Sequence, residues 1–523
     1  MSPENAALLP ARLASAVALA LLAGCSLPPL LPKPAVPEGA VAAPALPALS
    51  TPVGGEVLAR GDWFVVYLPA PADTLRSIAA QFLGAPDRDW MIADYNEVDR
   101  ADPGRPLVVP LKSPNPLGVS ADAYQTVPIL AYHRFGAGGG RMVVAPAHFA
   151  AQLEWLARHG YRVIPLRALA GFLAGRQALP RRSVVITIDD GYESTYRYAL
   201  PLLRKYGFPA TVFVYTDFVG GGGDALSWPQ LHELAASGLV DVQAHSKSHR
   251  NLLERGPSES DQQYRHVLEA EVRTPREVLE RRLSVPVRHY AFPYGDANEV
   301  VLDLLARQRY ELAVTVNPGG NGFFAQPLML RRTMIFGDHG LEAFQARLQT
   351  SRPILAPATA LACAKLPAAN TASFCGTEPL PPLAVDDGAG PALAFEQALR
   401  ERALLQVHQG RLAEAAGSWE ILAALRPQSA DYRERLARTH RQIDEIVPGR
   451  LRLAQAALRR GDSEGASMQF LAVLALQPEH AQAADALRAI ERERIRRQHL
   501  GKFSRYTLER RPPAPPTTSS PSP

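Results

Sequence analysis

Cysteine is scarce in this 523-residue chain: Cys25, Cys363 and Cys375 are the whole set, so at most one intramolecular bridge can form. A bilayer-spanning helix needs about 20 apolar residues, and the apolar run LASAVALALLA at 13–23 stops short of that. Charge of either sign is barely in excess. The 56 Lys and Arg against 51 Asp and Glu leave a net charge of +5, too mild to suggest a nucleic-acid partner. Proline is abundant, with 47 residues against an average of about 5%, and it clusters in connecting segments and tails. Apolar residues make up 47% of the chain, enough for sizeable cores. The length allows about three or four domains at roughly 150 residues each.

At the N-terminus Arg12 precedes the apolar run, which ends LLAGC at Cys25. This resembles the lipobox of bacterial lipoproteins. The resemblance implies that 1–24 is a removed signal and that acylated Cys25 becomes the mature N-terminus. With Ser26 next rather than Asp, it implies anchoring in the outer membrane of a Gram-negative envelope. The plainer reading is a simple secretory signal with an incidental cysteine. In an oxidising compartment the remaining pair, Cys363 and Cys375, is expected to form a disulfide rather than two free buried thiols.

Residues 25–52 are rich in Pro and Ala and read as an extended tether. Residues 53–112 read as a small α+β unit: a strand in WFVVYL, a helix in DTLRSIAAQF and a second strand in GRPLVVP. Asp73, Thr74, Leu75, Ile78, Ala79, Asn96, Gly104 and Leu107 to Pro110 make this unit similar to the LysM module. That likeness implies binding of N-acetylglucosamine-containing glycans; the LPAPAD turn departs from the family pattern.

From 122 to 355, strand and helix patterns alternate. The eight candidate strands are VPILAY, RVIPL, VVITID, ATVFVY, VDVQAH, RHYAFP, LAVTV and LMLRRTMI. Such alternation argues for a parallel sheet and suggests a β/α barrel, with its site at the C-terminal strand ends. Residues 376–393 read as a Pro/Gly-rich linker. In 394–499, Gly410, Ala415, Trp419, Leu425 and Pro427 recur 51 positions later (461 − 410, 478 − 427) as Gly461, Ala466, Phe470, Leu476 and Pro478. These positions resemble tetratricopeptide repeats, an all-α architecture that implies a protein partner; a plain helical bundle is the alternative. Residues 500–523 read as a disordered tail.

Three segments carry chemistry. VVITIDD (184–190) brings an apolar run to two adjacent acids, Asp189 and Asp190. VDVQAHSKSH (240–249) places His245 and His249 four apart beyond an apolar strand. HYAFPYGD (289–296) ends a third strand at a Pro–Tyr–Gly turn. One carboxylate and two imidazoles suit a divalent ion such as zinc and leave open positions, as catalytic sites do.

Together these segments resemble the polysaccharide deacetylase family, carbohydrate esterases that include chitin and peptidoglycan deacetylases. The resemblance implies Asp189 as general base and Asp190, His245 and His249 as metal ligands. It also implies the Tyr294 backbone N–H as oxyanion donor. The substrate would be an N-acetylhexosamine polymer, either peptidoglycan or an exopolysaccharide. Two departures stand out. Ala291 occupies the place of the family's third-motif Arg, and LMLRRTMIF (328–336) lacks the family's last His. VPILAYHRF (127–135), with His133 near a strand end, looks like the exopolysaccharide de-N-acetylase branch. The competing reading is a glycan-binding scaffold that has kept the fold without the activity.

Overall fold

The computed structural model describes residues 53–354 and 390–500, which fall within one compact unit. Cys25, Cys363, Cys375, the signal and the tether lie outside the described residues, as do 355–389 and 501–523. No described helix is long and apolar enough to cross a membrane.

Residues 53–112 form an antiparallel sheet of three strands: Glu56–Arg60, Phe64–Leu68 and Leu107–Pro110. The sequence pattern shows only the last two, because Glu56–Arg60 is mostly exposed and carries little apolar signal. Two helices, Leu75–Leu83 and Asp89–Asn96, cover the sheet. Thr74 caps the first helix in a reciprocal capping box with Ser77. Asp73 accepts hydrogen bonds from Tyr67 Oη at 2.6 Å and Ala70 N at 2.8 Å. Asn96 ties its helix to the last strand, donating to Ile92 O and Val108 O and accepting from Val108 N. Several of the residues that carry the LysM likeness thus have structural duties.

The central domain is a half-barrel parallel sheet. Its path runs Leu312–Val314, His289–Ala291, Val240–Ala244, Ala210–Val214, Ser183–Ile188, Ile129–Tyr132 and Thr333–Met334. The segment after Met329 reaches both edges: Leu330 bridges Val314, and Met334 pairs with Ala131. Of the eight expected strands, RVIPL yields only the stub Arg162–Val163, off this path beside Ser183 and Val184. The pleat sorts side chains as a sheet buried on both faces requires. Val184, Ile186 and Ile188 join the core with Phe149, Leu153 and Leu156 of the helix Pro146–Arg158, whereas Val185 joins a second core. Burying each of those three helix side chains contributes about 1.5–3 kcal/mol. Ala123–Gln125 pairs antiparallel with Ser351–Pro353, so the two ends of the domain are tied together.

The C-terminal region is helical: Pro391–His408, Leu412–Leu425, Ala430–Arg459, Ser463–Leu476 and Ala481–Ile495, closing with Arg496–Leu500. Residues 391–393 of the expected linker are therefore helical, and so is Leu500 of the expected tail. The 51-residue offset has a simple origin. The 30-residue helix Ala430–Arg459 serves both as the second helix of one hairpin and the first of the next. Repeat partners share environments: Ala415 and Ala466 are fully buried, and Trp419 and Phe470 nearly so. One apolar cluster unites Phe64, Val66 and Val108 of the small unit with Leu399, Ala403 and Trp419 of the helices. Trp63 Nε1 donates to Glu420 at 2.8 Å across the same seam. The first helical hairpin is thus covered in part by the chain's own N-terminal unit.

Candidate active site

Asp189 lies one residue beyond its strand and continues the inward alternation of Val185 and Thr187. It is 1% exposed. Arg332, fully buried, meets it with both terminal nitrogens: Nη1 donates to Oδ1 at 2.7 Å, and Nη2 lies 2.7 Å from Oδ2. The guanidinium is itself fixed, with Nε donating to Thr315 O at 2.8 Å and Nη1 to Thr187 Oγ1 at 3.2 Å. Burial works against the Asp189 charge, but Arg332, together with His245 and His133, outweighs it and holds the carboxyl below its ordinary pKa. The sequence reading leaves the base without an orienting arginine, since Ala291 stands in the family position. The fold supplies one from another segment.

Asp190 faces the other way for a second reason besides the pleat. The strand ends at Ile188, and Asp190 adopts a left-handed backbone with φ 75°. This turn brings Oδ1 to 3.4 Å from His245 Nε2 and 3.3 Å from His249 Nε2. The ligand atoms of all three residues lie within 4.8 Å of one another. Metal–ligand bonds of about 2.0–2.1 Å at a tetrahedral angle separate two donor atoms by about 3.3 Å, so the spacing fits an ion. The chemistry fits as well. His245 Nδ1 lies 2.8 Å from Ala291 O, which makes it the donor and leaves Nε2 of the neutral ring a lone pair. Asp190 Oδ1 is buried without a hydrogen-bond partner. A carboxylate oxygen and two imidazole nitrogens facing one point suit a cation or a shared proton. Consistently, burial opposes charge on Asp190 and His245, yet each favours the other's charged form. Asp190 is held far below the carboxylate range and His245 is raised.

Tyr294 follows the strand His289–Ala291 in a tight turn, with φ 62° and a 60% exposed side chain whose ring lies 5.0 Å from that of His249. Tyr215 flanks His249 at 5.1 Å and stacks on Phe218 at 5.0 Å, so the rim of the triad is aromatic. His133, expected near a strand end, sits with Nε2 3.9 Å from Asp189 Oδ2. Burial pushes its pKa down against the pull of both acids. His339 does not join it: its Nδ1 accepts from Phe336 N and its Nε2 lies 3.0 Å from Arg347 Nη2. Arg331 and Arg332 diverge as the two acids do, Arg331 pairing with Glu491 of the last helix at 3.2 Å.

Residues 176–313 match the family model for polysaccharide deacetylase. The chain therefore carries a polysaccharide deacetylase domain and is a hydrolase acting on carbon–nitrogen bonds other than peptide bonds. Among its relatives is a poly-beta-1,6-N-acetyl-D-glucosamine N-deacetylase of Staphylococcus aureus, 25% identical over 196 residues, 36% of this chain and 67% of the relative. Two solved structures are similar. The Streptococcus pyogenes deacetylase PplD in complex with acetate has 25% identity and a TM-score of 0.39, covering 43% of this chain and 98% of that one. IcaB from Ammonifex degensii has 28% identity and a TM-score of 0.39, covering 43% and 97%. The family match ends before Arg332 and begins after His133, so two residues that touch Asp189 lie outside it.

Proposed function

We propose that this chain removes N-acetyl groups from an exported β-linked N-acetylglucosamine polymer, as a metal-dependent enzyme anchored by lipid at Cys25 to the outer membrane. The observation that carries the reading is the division of labour between neighbours: Asp190 converges on His245 and His249 while Asp189 is held apart by Arg332. Asp190, His245 and His249 would hold the ion, zinc by donor type. Bound there, it supplies Lewis acidity toward water and the acetamide carbonyl. Asp189, kept ionised, accepts the proton of the attacking water as the new carbon–oxygen bond forms. The carbon–nitrogen bond then breaks, and the same carboxyl returns the proton to the departing amine, leaving acetate. His133, kept neutral by burial, faces Asp189 and steadies it. The Tyr294 amide is the proposed donor to the developing oxyanion.

The name of the Staphylococcus aureus relative and the Tyr-His-Arg segment favour an exopolysaccharide substrate over peptidoglycan. The LysM-like unit is proposed to hold the glycan, the disulfide to link Cys363 with Cys375, and the tetratricopeptide-like helices to engage a protein partner. The test is free-amine release from poly-β-1,6-N-acetylglucosamine and from peptidoglycan by protein with measured metal content. Release from the first with about one divalent ion bound per chain is the expected result. Release from peptidoglycan alone would overturn the substrate, and no release from either by metal-loaded protein would favour the scaffold reading.

A further inference from the structure

We infer that Glu271 is a positioning residue for the ion site, holding the loop that carries both histidines. The inference rests on the reading of Asp190, His245 and His249 as ligands. Glu271 lies in the helix Asp261–Leu283, outside all three motif segments, and is 4% exposed. Its Oε2 accepts from Lys247 N and Ser248 N, each at 2.9 Å, and its Oε1 from Ser248 Oγ at 2.6 Å. Both partners sit between His245 and His249. Arg250, next along the loop, is engaged by Glu259 instead. A buried carboxylate is unfavourable unless hydrogen bonds satisfy it; Arg250 attracts Glu271 without bonding to it, and the hydrogen bonds of Glu271 come from the ligand loop. The loop needs such support. Ser246 and His249 both have left-handed backbones, φ 71° and 62°, and neither is glycine. Strained positions of that kind persist only when their surroundings over-determine them.

The helix is in turn fixed at this level. Pro275 has no N–H to offer the carbonyl of Glu271, four residues earlier. The hydroxyl of buried Tyr290 donates to that carbonyl at 3.4 Å, and Tyr310 donates to the next one, Val272 O, at 2.9 Å. Tyr290 precedes Ala291, whose carbonyl receives His245 Nδ1. Glu271 and the His245 ring are thus both referred to the strand His289–Ala291.

Calorimetric titration of zinc into metal-free wild type and variants tests this. Glu271→Asp retracts the carboxylate by one methylene and is expected to weaken zinc binding by about 10–100-fold, the usual scale for groups that orient ligands. Glu271→Gln, which can still accept both amides at one oxygen and donate to Ser248 Oγ, should lose much less. The thermal midpoints of the metal-free variants should lie close together, so that loss of affinity is separable from loss of fold. Zinc affinity unchanged in Glu271→Asp, or Gln losing as much as Asp, would overturn the positioning role. Wild type that takes up no zinc would instead defeat the parent reading of the site.

Discussion

The half-barrel domain places left-handed backbone on non-glycine residues as well as on glycines, whereas the described helical region places it on glycine alone. The helical repeats turn at Gly410 and Gly461, with φ 72° and 76°, where no side chain is needed. Among the described residues seven non-glycine positions have positive φ, and four of them, Asp190, Ser246, His249 and Tyr294, gather around one end of the parallel sheet. Each such residue costs about 1–3 kcal/mol. The strain is kept where the side chain or its exact neighbour has work that glycine cannot do: Asp190 and His249 face each other at 3.3 Å. What sustains it is a set of buried polar contacts, Arg332 to Asp189 and Glu271 to the 247–248 amides.

The sharpest way to break this contrast is to separate the two acids. Asp189→Asn should keep the ion and lose about 10²–10⁴-fold in kcat/KM, the range of general acid–base catalysis. His249→Ala should lose the ion together with activity. Metal analysis alongside amine release reads both; an Asp189→Asn protein stripped of metal would mean that the two roles are reversed.

Next in size is Arg332. Removing one partner of a buried ion pair leaves the other charge uncompensated, and Arg332→Met should destabilise the domain by about 3–5 kcal/mol. Adding Asp189→Asn should recover much of that loss. Chemical denaturation of the single and double variants measures the coupling, and strictly additive losses would show that the pair does not act as a unit.

Much of the site is legible in the sequence because strand ends announce it. Asp189, Asp190, His245, His249 and Tyr294 each follow an apolar run closely, and the structure gathers them at one end of the sheet. Arg332 is visible in LMLRRTMIF, but its partner is not, because only Thr333–Met334 of that stretch is strand and no periodicity tells which arginine turns inward. Glu271 is hidden altogether, being one of several acids in a polar helix whose partners are backbone amides. The alternation of strands and helices reveals the parallel sheet, but not that two expected strands would shrink to the two-residue pieces Arg162–Val163 and Thr333–Met334. The 51-residue repeat is legible, whereas the fusion of two helices into Ala430–Arg459 is not, since Pro448 inside it reads as a stop.

His133 offers a smaller effect. Its ring lies 3.9 Å from Asp189, and burial keeps it neutral. A neutral imidazole that only steadies the base should cost less than about tenfold in kcat/KM when replaced by Ala, below the usual 10²–10⁴ of a positioned acid or base. A loss above 10²-fold with metal content unchanged would make His133 the proton donor and end the single-carboxylate scheme.

The smallest effect tests the contrast itself. A Cβ at Gly461 would meet no atom within 4 Å, so Gly461→Ala changes backbone preference and little else. At φ 76° it should cost about 1–2 kcal/mol, and Gly461→Asn should cost less, because Asn tolerates this region better. Tyr294→Gly makes the opposite exchange. It relieves a left-handed residue whose side chain is mostly exposed, and stability should stay within about 0.5 kcal/mol. Denaturant midpoints of the three variants decide the matter. If Gly461→Ala were neutral while Tyr294→Gly was strongly destabilising, backbone strain would not be what distinguishes the two regions, and the ring of Tyr294 would have to be holding the turn through its contact with His249.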